Sequence, residues 1–187
     1  MSSISNPPMV PAAFEQALKT ATVRWVIPGW LFIGEANQLM VLGRIYYIPI
    51  FVPVRTIYDR IGVRVAIGDG IGGLANLRIY RWSGGLPATL VLDAGNVSTN
   101  AAGAQEIVIS ETLERGYYFL AVRCDQAPEL RGPTGAQTSA PISGLSLDQA
   151  TAIILGLPSV DGAMADPALA PTATEVIDRC VVRLREA

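Results

Sequence analysis

Leu77-Arg-Ile-Tyr-Arg-Trp-Ser-Gly-Gly-Leu-Pro-Ala-Thr-Leu-Val-Leu-Asp-Ala-Gly95 is the stretch on which the fold turns. Aliphatic and aromatic residues stand on both sides of a Gly-Gly-Leu-Pro punctuation, the pattern of two extended segments joined by a tight turn. In Leu77-Arg-Ile-Tyr-Arg-Trp82 the arginines fall near period two, which places them on a wet face while the aliphatics point inward. The same grammar extends in both directions. Leu39 to Val54, Ile61 to Ile67, Leu74 to Trp82, Ala88 to Leu92, Gln105 to Ser110, Gly116 to Cys124 and Val176 to Leu184 each combine β-branched or aromatic residues with polar punctuation. Gly72-Gly73, Gly84-Gly85-Leu86-Pro87, Asp93-Ala-Gly95 and Arg115-Gly116 supply the turns. Short strands at this spacing, with almost no long helical stretch, predict an all-β chain: an antiparallel sandwich, jelly-roll-like, or a barrel, rather than a doubly wound α/β fold.

The 187 residues fit one compact domain with a tail or an insertion. Residues 1–37 read as an N-terminal docking arm. Phe14, Ala17 and Leu18 recur at helical spacing in a short amphipathic stretch. Val23-Arg-Trp-Val-Ile-Pro-Gly-Trp30 then carries large aromatics with no partner in its own segment. Phe14, Leu18, Trp25 and Trp30 are the partner-docking candidates of this arm. Residues 38–187 form the sandwich domain, with an insertion at about 127–171 where the strand rhythm lapses among prolines, alanines and serines. Inside it, Ser146 to Leu155 reads as one short helix, capped by Ser146 and stopped by Gly156. An excursion of this length is uncommon without a task or a neighbour to hold it, and its low charge fits burial at a subunit contact.

Composition narrows the chemistry. Half the residues are apolar and 16% are charged, so the chain is neither disordered nor supercharged. A net charge of −2 provides no cation excess to displace counterions from phosphates, which argues against nucleic acid as a partner. No histidine is present, so Ser/His/Asp and Cys/His triads are excluded, and two cysteines cannot fill a tetrahedral zinc shell. Cys124 and Cys180 are two buried thiols or a disulfide between neighbouring strands. The opening Met1-Ser-Ser-Ile-Ser-Asn-Pro-Pro lacks the basic and apolar regions of a signal peptide. The greasiest run, Val41 to Val54, contains Arg44, Pro49 and Pro53 and is too short to cross a bilayer, so no membrane insertion is expected.

Few motifs carry chemistry. Gly68-Asp-Gly-Ile-Gly-Gly73 resembles a phosphate loop only superficially, because it leads into a strand rather than a helix, and it reads as a hairpin turn. Asp69 is one local carboxylate where calcium needs several oxygens. Asp59, Asp69, Asp93, Glu106, Glu111, Glu114 and Asp125 are the carboxylates from which a glycosidase pair would have to come, and most of them border turns. Neither a catalytic residue, a metal ligand set nor a cofactor is assigned, and the chain is read as non-enzymatic. Thirteen arginines stand against the single Lys19, a bias that follows either from partly buried ion pairs and protein contacts or from codon composition. Tyr80, Trp82 and Ser83 form an aromatic-polar hairpin tip, a candidate glycan contact or a partly packed edge.

Leu77 to Gly95, followed by Glu106 to Val122, resembles a β-sandwich module of tailed-bacteriophage virion proteins. The matching elements are the Gly84 to Pro87 turn, the Leu90 to Gly95 strand and the Gly116 to Ala121 strand, within a resemblance covering roughly residues 38–126. Val181 to Arg185 looks like a closing strand. Ala88, Arg115 and Arg81-Trp82-Ser83 depart from the pattern. The resemblance implies a tail fibre, spike or head decoration: a homo-oligomer, commonly trimeric, assembled in host cytoplasm and held in the virion by other virion proteins, with a possible host-surface glycan as ligand. A stand-alone carbohydrate-binding module or adhesin subunit is the alternative.

Overall fold

A computed structural model describes residues 25–26, 35–133, 157–175 and 180–187. Phe14, Leu18, Trp30 and the expected helix at Ser146–Leu155 lie outside them. All regular structure among the described residues is β. The strands in chain order are β1 (Trp25–Val26), β2 (Glu35–Leu39), β3 (Arg44–Val52), β4 (Thr56–Ile67), β5 (Leu74–Ser83), β6 (Leu86–Ser98), β7 (Gly103–Leu113), β8 (Gly116–Cys124), β9 (Glu129–Pro133), β10 (Leu157–Asp161), β11 (Ala173–Glu175) and β12 (Arg183–Glu186).

Two antiparallel sheets pack face to face. One contains β2-β9-β4-β7 and the other β3-β8-β5-β6. Except at the β5–β6 hairpin, the chain changes sheet at every step from β2 to β9. This is the eight-strand wrap of a jelly roll. The remaining strands extend it. The twelve-residue β4 is long enough to take two partners along one edge: β9 at Val65 and Ile67, and β12 between Tyr58 and Gly62. β1 then adds to β12, so the expected arm contributes an edge strand to the sandwich itself. On the other sheet β10 pairs with Arg44–Tyr46 of β3, and β11 closes on β10. Past Tyr46, β3 has no second strand partner among the described residues, the setting in which a strand tolerates Pro49, a residue lacking an N–H.

Inward side chains alternate as period two requires. Ile48, Ile50, Ile61, Val63, Leu77, Ile79, Leu120, Val122, Leu130 and Leu184 meet between the sheets, essentially without exposure. Each such side chain contributes about 1.5–3 kcal/mol by leaving water. A second, smaller core sits on the outside of the β3-β8-β5 sheet. There Ile45, Tyr47, Tyr80, Phe119, Ala121 and Val160 pack under Met164, Ala168 and Leu169 of the segment following β10.

Three expectations are corrected. Glycines 68–73 do not close a hairpin, since β4 and β5 belong to different sheets; they turn the chain from one sheet to the other. Asp93-Ala-Gly95 is no turn but an irregularity inside the thirteen-residue β6, with Gly95 at φ +96° and the register shifted opposite Leu77/Arg78. The strand rhythm does not lapse throughout 127–171, because β9 and β10 lie there. Leu130 is the one inward aliphatic of β9, and Pro158 in β10 breaks the usual strand signal, so neither announces itself by alternation.

Candidate functional site

The β5–β6 hairpin closes through Gly84 and Gly85, at φ +56° and +89°, with Ser83 opposite Leu86. Two consecutive positive φ values suit a two-residue turn that follows the right-handed twist of its strands, and glycine adopts them without steric cost. The hairpin projects Trp82 onto the outer face of its sheet. There its ring stacks on Phe119 of β8, centroids 4.8 Å apart and planes 4° from parallel. Trp82 also meets Tyr117 at 5.4 Å, and Tyr117 meets Phe51 of β3 at 4.8 Å. Phe51 and Tyr117 are both more than 40% exposed, while Phe119 beneath is 1% exposed. The result is an aromatic strip crossing three strands, with a buried floor and an open rim. Each such ring pair adds about 0.5–1.5 kcal/mol beyond area burial.

Tyr80, expected beside Trp82 as a glycan contact, is 0% exposed. Its hydroxyl donates to the Ala165 carbonyl oxygen at 2.8 Å, and Tyr47 donates likewise to Leu169 at 3.1 Å. Burial pushes the phenol pKa of both above the ordinary value. Tyr80 therefore offers no ring face to a sugar; the bulges between Ile79 and Trp82 leave it under the 162–169 segment. That segment is held further by Leu90 N–H donating to Asp166 Oδ1, Ala168 N–H to the Ala88 carbonyl, and Arg123 Nε to the Gly162 carbonyl. Ser83 is exposed at the tip and Trp82 partly so. Trp25, a docking candidate, stands in β1 opposite Arg185 and walls a cavity on the other sheet.

Sequence reasoning missed Phe51 and Tyr117. Both lie in runs that read as strands, but only the register, Phe51 opposite Tyr117 and Pro49 opposite Phe119, puts them beside Trp82.

Of the seven carboxylates weighed for hydrolysis, all but Glu111 have structural tasks. Asp59 takes a bidentate pair from Arg185 at 2.6 and 2.7 Å, and Asp93 pairs with Arg78 at 2.6 Å. Glu106 faces Arg60 at 3.6 Å and Glu114 faces Arg55 at 3.0 Å. Asp125 accepts from Leu74 N–H. Asp69 Oδ1 accepts the N–H groups of Ile71 and Gly73 while Oδ2 accepts the Thr99 hydroxyl, so it staples its own loop; that hydroxyl is the main cause of its lowered pKa. No group of three or more potential metal-ligating side chains occurs among the described residues. Nor is any helix there long and apolar enough to cross a membrane. Cys124 and Cys180 are both free and buried. Desolvation pushes the Cys124 thiol up to about 12 and raises Cys180 as well, which keeps both protonated and unreactive.

No protein-family model, no curated protein and no solved structure matches this chain.

Proposed function

We propose that the chain is a non-enzymatic structural component of a bacteriophage virion, a tail-fibre, spike or head-decoration module that assembles with copies of itself and with other virion proteins. The observation that carries this reading is where its exposed apolar side chains gather. Phe51, Val54, Ile57, Leu86 and Tyr117 crowd one end of the sandwich, and Leu39, Leu42, Ile67, Ile71 and Leu74 the other; among the described residues only Val108 stands apart. Scattered apolar residues need no explanation, but clusters at both ends of a sandwich suit a part that is covered by neighbours above and below. The matched turn and strands of the phage resemblance, Gly84–Pro87, Leu90–Gly95 and Gly116–Ala121, lie in the adjacent strands β6, β5 and β8, while its Glu106–Leu113 portion lies in β7 of the other sheet. A jelly roll is a common body for viral capsid and lectin domains, which agrees with the reading without deciding it.

The test uses the full chain and particles from a phage lacking it. Full-length protein is expected to add back to such particles, and a Phe51→Ser/Tyr117→Ser/Leu86→Ser variant to remain folded by circular dichroism yet fail to attach. Deleting residues 1–24 spares β1 and separates the leading segment from the sandwich. Attachment unaffected by both changes would contradict the reading.

A further inference from the structure

A different feature occupies the outer face of the other sheet. Gly62 of β4 is buried, and a Cβ there would stand 2.6 Å from the Gln105 carbonyl oxygen and 3.2 Å from the Glu106 Cα, so β7 lies too close for any side chain at this position. Beside this close approach lies a cavity of about 190 Å³ whose lining includes Trp25, Arg64, Glu106 and Arg183. A glycine inside a strand commonly marks a place where a ligand or another backbone comes close.

The charges around this cavity are unequal. Arg183 is ion-paired with Glu35, Arg185 with Asp59, and Glu106 faces Arg60. Arg64 has no ion-pair or hydrogen-bond partner among the described residues, although it lines the same cavity. Within this cavity one guanidinium is thus left to receive a planar anion in bidentate fashion, beside an indole wall and the Glu106 carboxylate. We propose that this cavity binds a single acidic sugar ring, its carboxylate on Arg64, its C–H face against Trp25, and a hydroxyl on Glu106.

The chemistry selects this class over its rivals. Glu106 in the wall accepts from hydroxyls but repels multiply charged phosphates, so one negative charge suits the pocket and a nucleotide does not. A neutral sugar leaves Arg64 unanswered. The volume is smaller than the roughly 300 Å³ at which pockets for drug-sized ligands begin, which fits one ring rather than a chain.

This inference goes beyond the particle reading and is tested without particles. The full chain is titrated with methyl β-glucuronide and, separately, with the neutral methyl β-glucoside, binding being followed by saturation-transfer NMR and calorimetry. Saturable glucuronide binding is expected, with glucoside about tenfold weaker for want of the Arg64–carboxylate contact at a solvent-exposed position. Arg64→Gln, an exposed position, is expected to bring the two sugars to equal, weak binding; Trp25→Leu is expected to weaken both, with Trp82→Phe as an unaffected control. Equal binding of the two sugars to the unaltered chain, no saturation with glucuronide, or unchanged preference in Arg64→Gln would each overturn the proposal.

Discussion

The two outer faces of this sandwich are held in opposite ways. On the β3-β8-β5 sheet, tyrosine and phenylalanine rings lie dry beneath the 162–169 segment, and its backbone carbonyls take up the buried hydroxyls. On the β4-β7-β12 sheet the face is wet, and arginines alternate with carboxylates in a lattice of ion pairs: Arg60 with Glu106, Arg183 with Glu35, Arg185 with Asp59. Both faces carry side chains with the same period of two. The difference is whether another part of the chain returns to cover them, and it assigns the energy: apolar burial stabilises the first face, whereas exposed pairs add little to the second and leave it free to meet solutes.

Substitution should expose this inequality. Phe119→Ala is expected to destabilise the fold by about 3–5 kcal/mol, the usual cost of emptying a buried aromatic site, read as a lower urea midpoint. Arg183→Gln on the opposite face should move that midpoint far less, and the small change should fade in 1 M salt. Equal effects would erase the distinction between the faces.

A finer cut is Tyr80→Phe, which keeps the ring and removes only the hydroxyl donated to Ala165. It is expected to cost about 1 kcal/mol and to speed hydrogen exchange at Leu90 and Ala168, whose N–H groups tie the covering segment down. Unchanged exchange there would mean that the segment is held by apolar contact alone.

Acidification probes the paired carboxylates, of which Asp59 lies on the wet face. The Arg185 pair holds Asp59 below the ordinary carboxylate range, and Arg44 and the Thr99 hydroxyl do the same for Asp161 and Asp69. A carboxyl whose pKa is lower folded than unfolded stabilises the fold above its unfolded value, near 3.9, and loses that contribution as pH falls through the folded value. The melting temperature should therefore hold from pH 7 to about 5 and decline below about pH 4, with a shallower decline in Asp59→Asn. A decline centred near pH 6 would need another titrating group. The smallest signal concerns the thiols: Cys124 and Cys180 should resist a thiol reagent in the native protein and react only on unfolding.

Much of this fold can be read from Leu77 to Gly95 and its neighbours, because alternation, glycine turns and β-branched runs are local signals. β5, β7 and β8 coincide with the expected runs to within about three residues; β4 and β6 are longer than expected, the Leu39–Val54 run is split between the end of β2 and β3, and of Val176–Leu184 only Arg183 and Leu184 lie in a described strand. What escapes local reading depends on pairing. The Phe51–Tyr117–Trp82 strip follows from register, and the burial of Tyr80 from a segment some 85 residues away in sequence returning over it. The Trp25 cavity requires strands from both ends of the chain beside Gly62. Arginine enrichment was visible, but which unpaired guanidinium lines the cavity is a matter of geometry.

The central claim, that both apolar poles of this body are meant to be covered by neighbours, is tested most directly by the mass of the purified full chain in solution, measured by light scattering across a concentration series. A discrete oligomer, a trimer foremost, that the Phe51→Ser/Tyr117→Ser/Leu86→Ser variant converts to monomer is the predicted result. A folded chain that stays monomeric at every concentration, with the variant indistinguishable from it, would contradict the account.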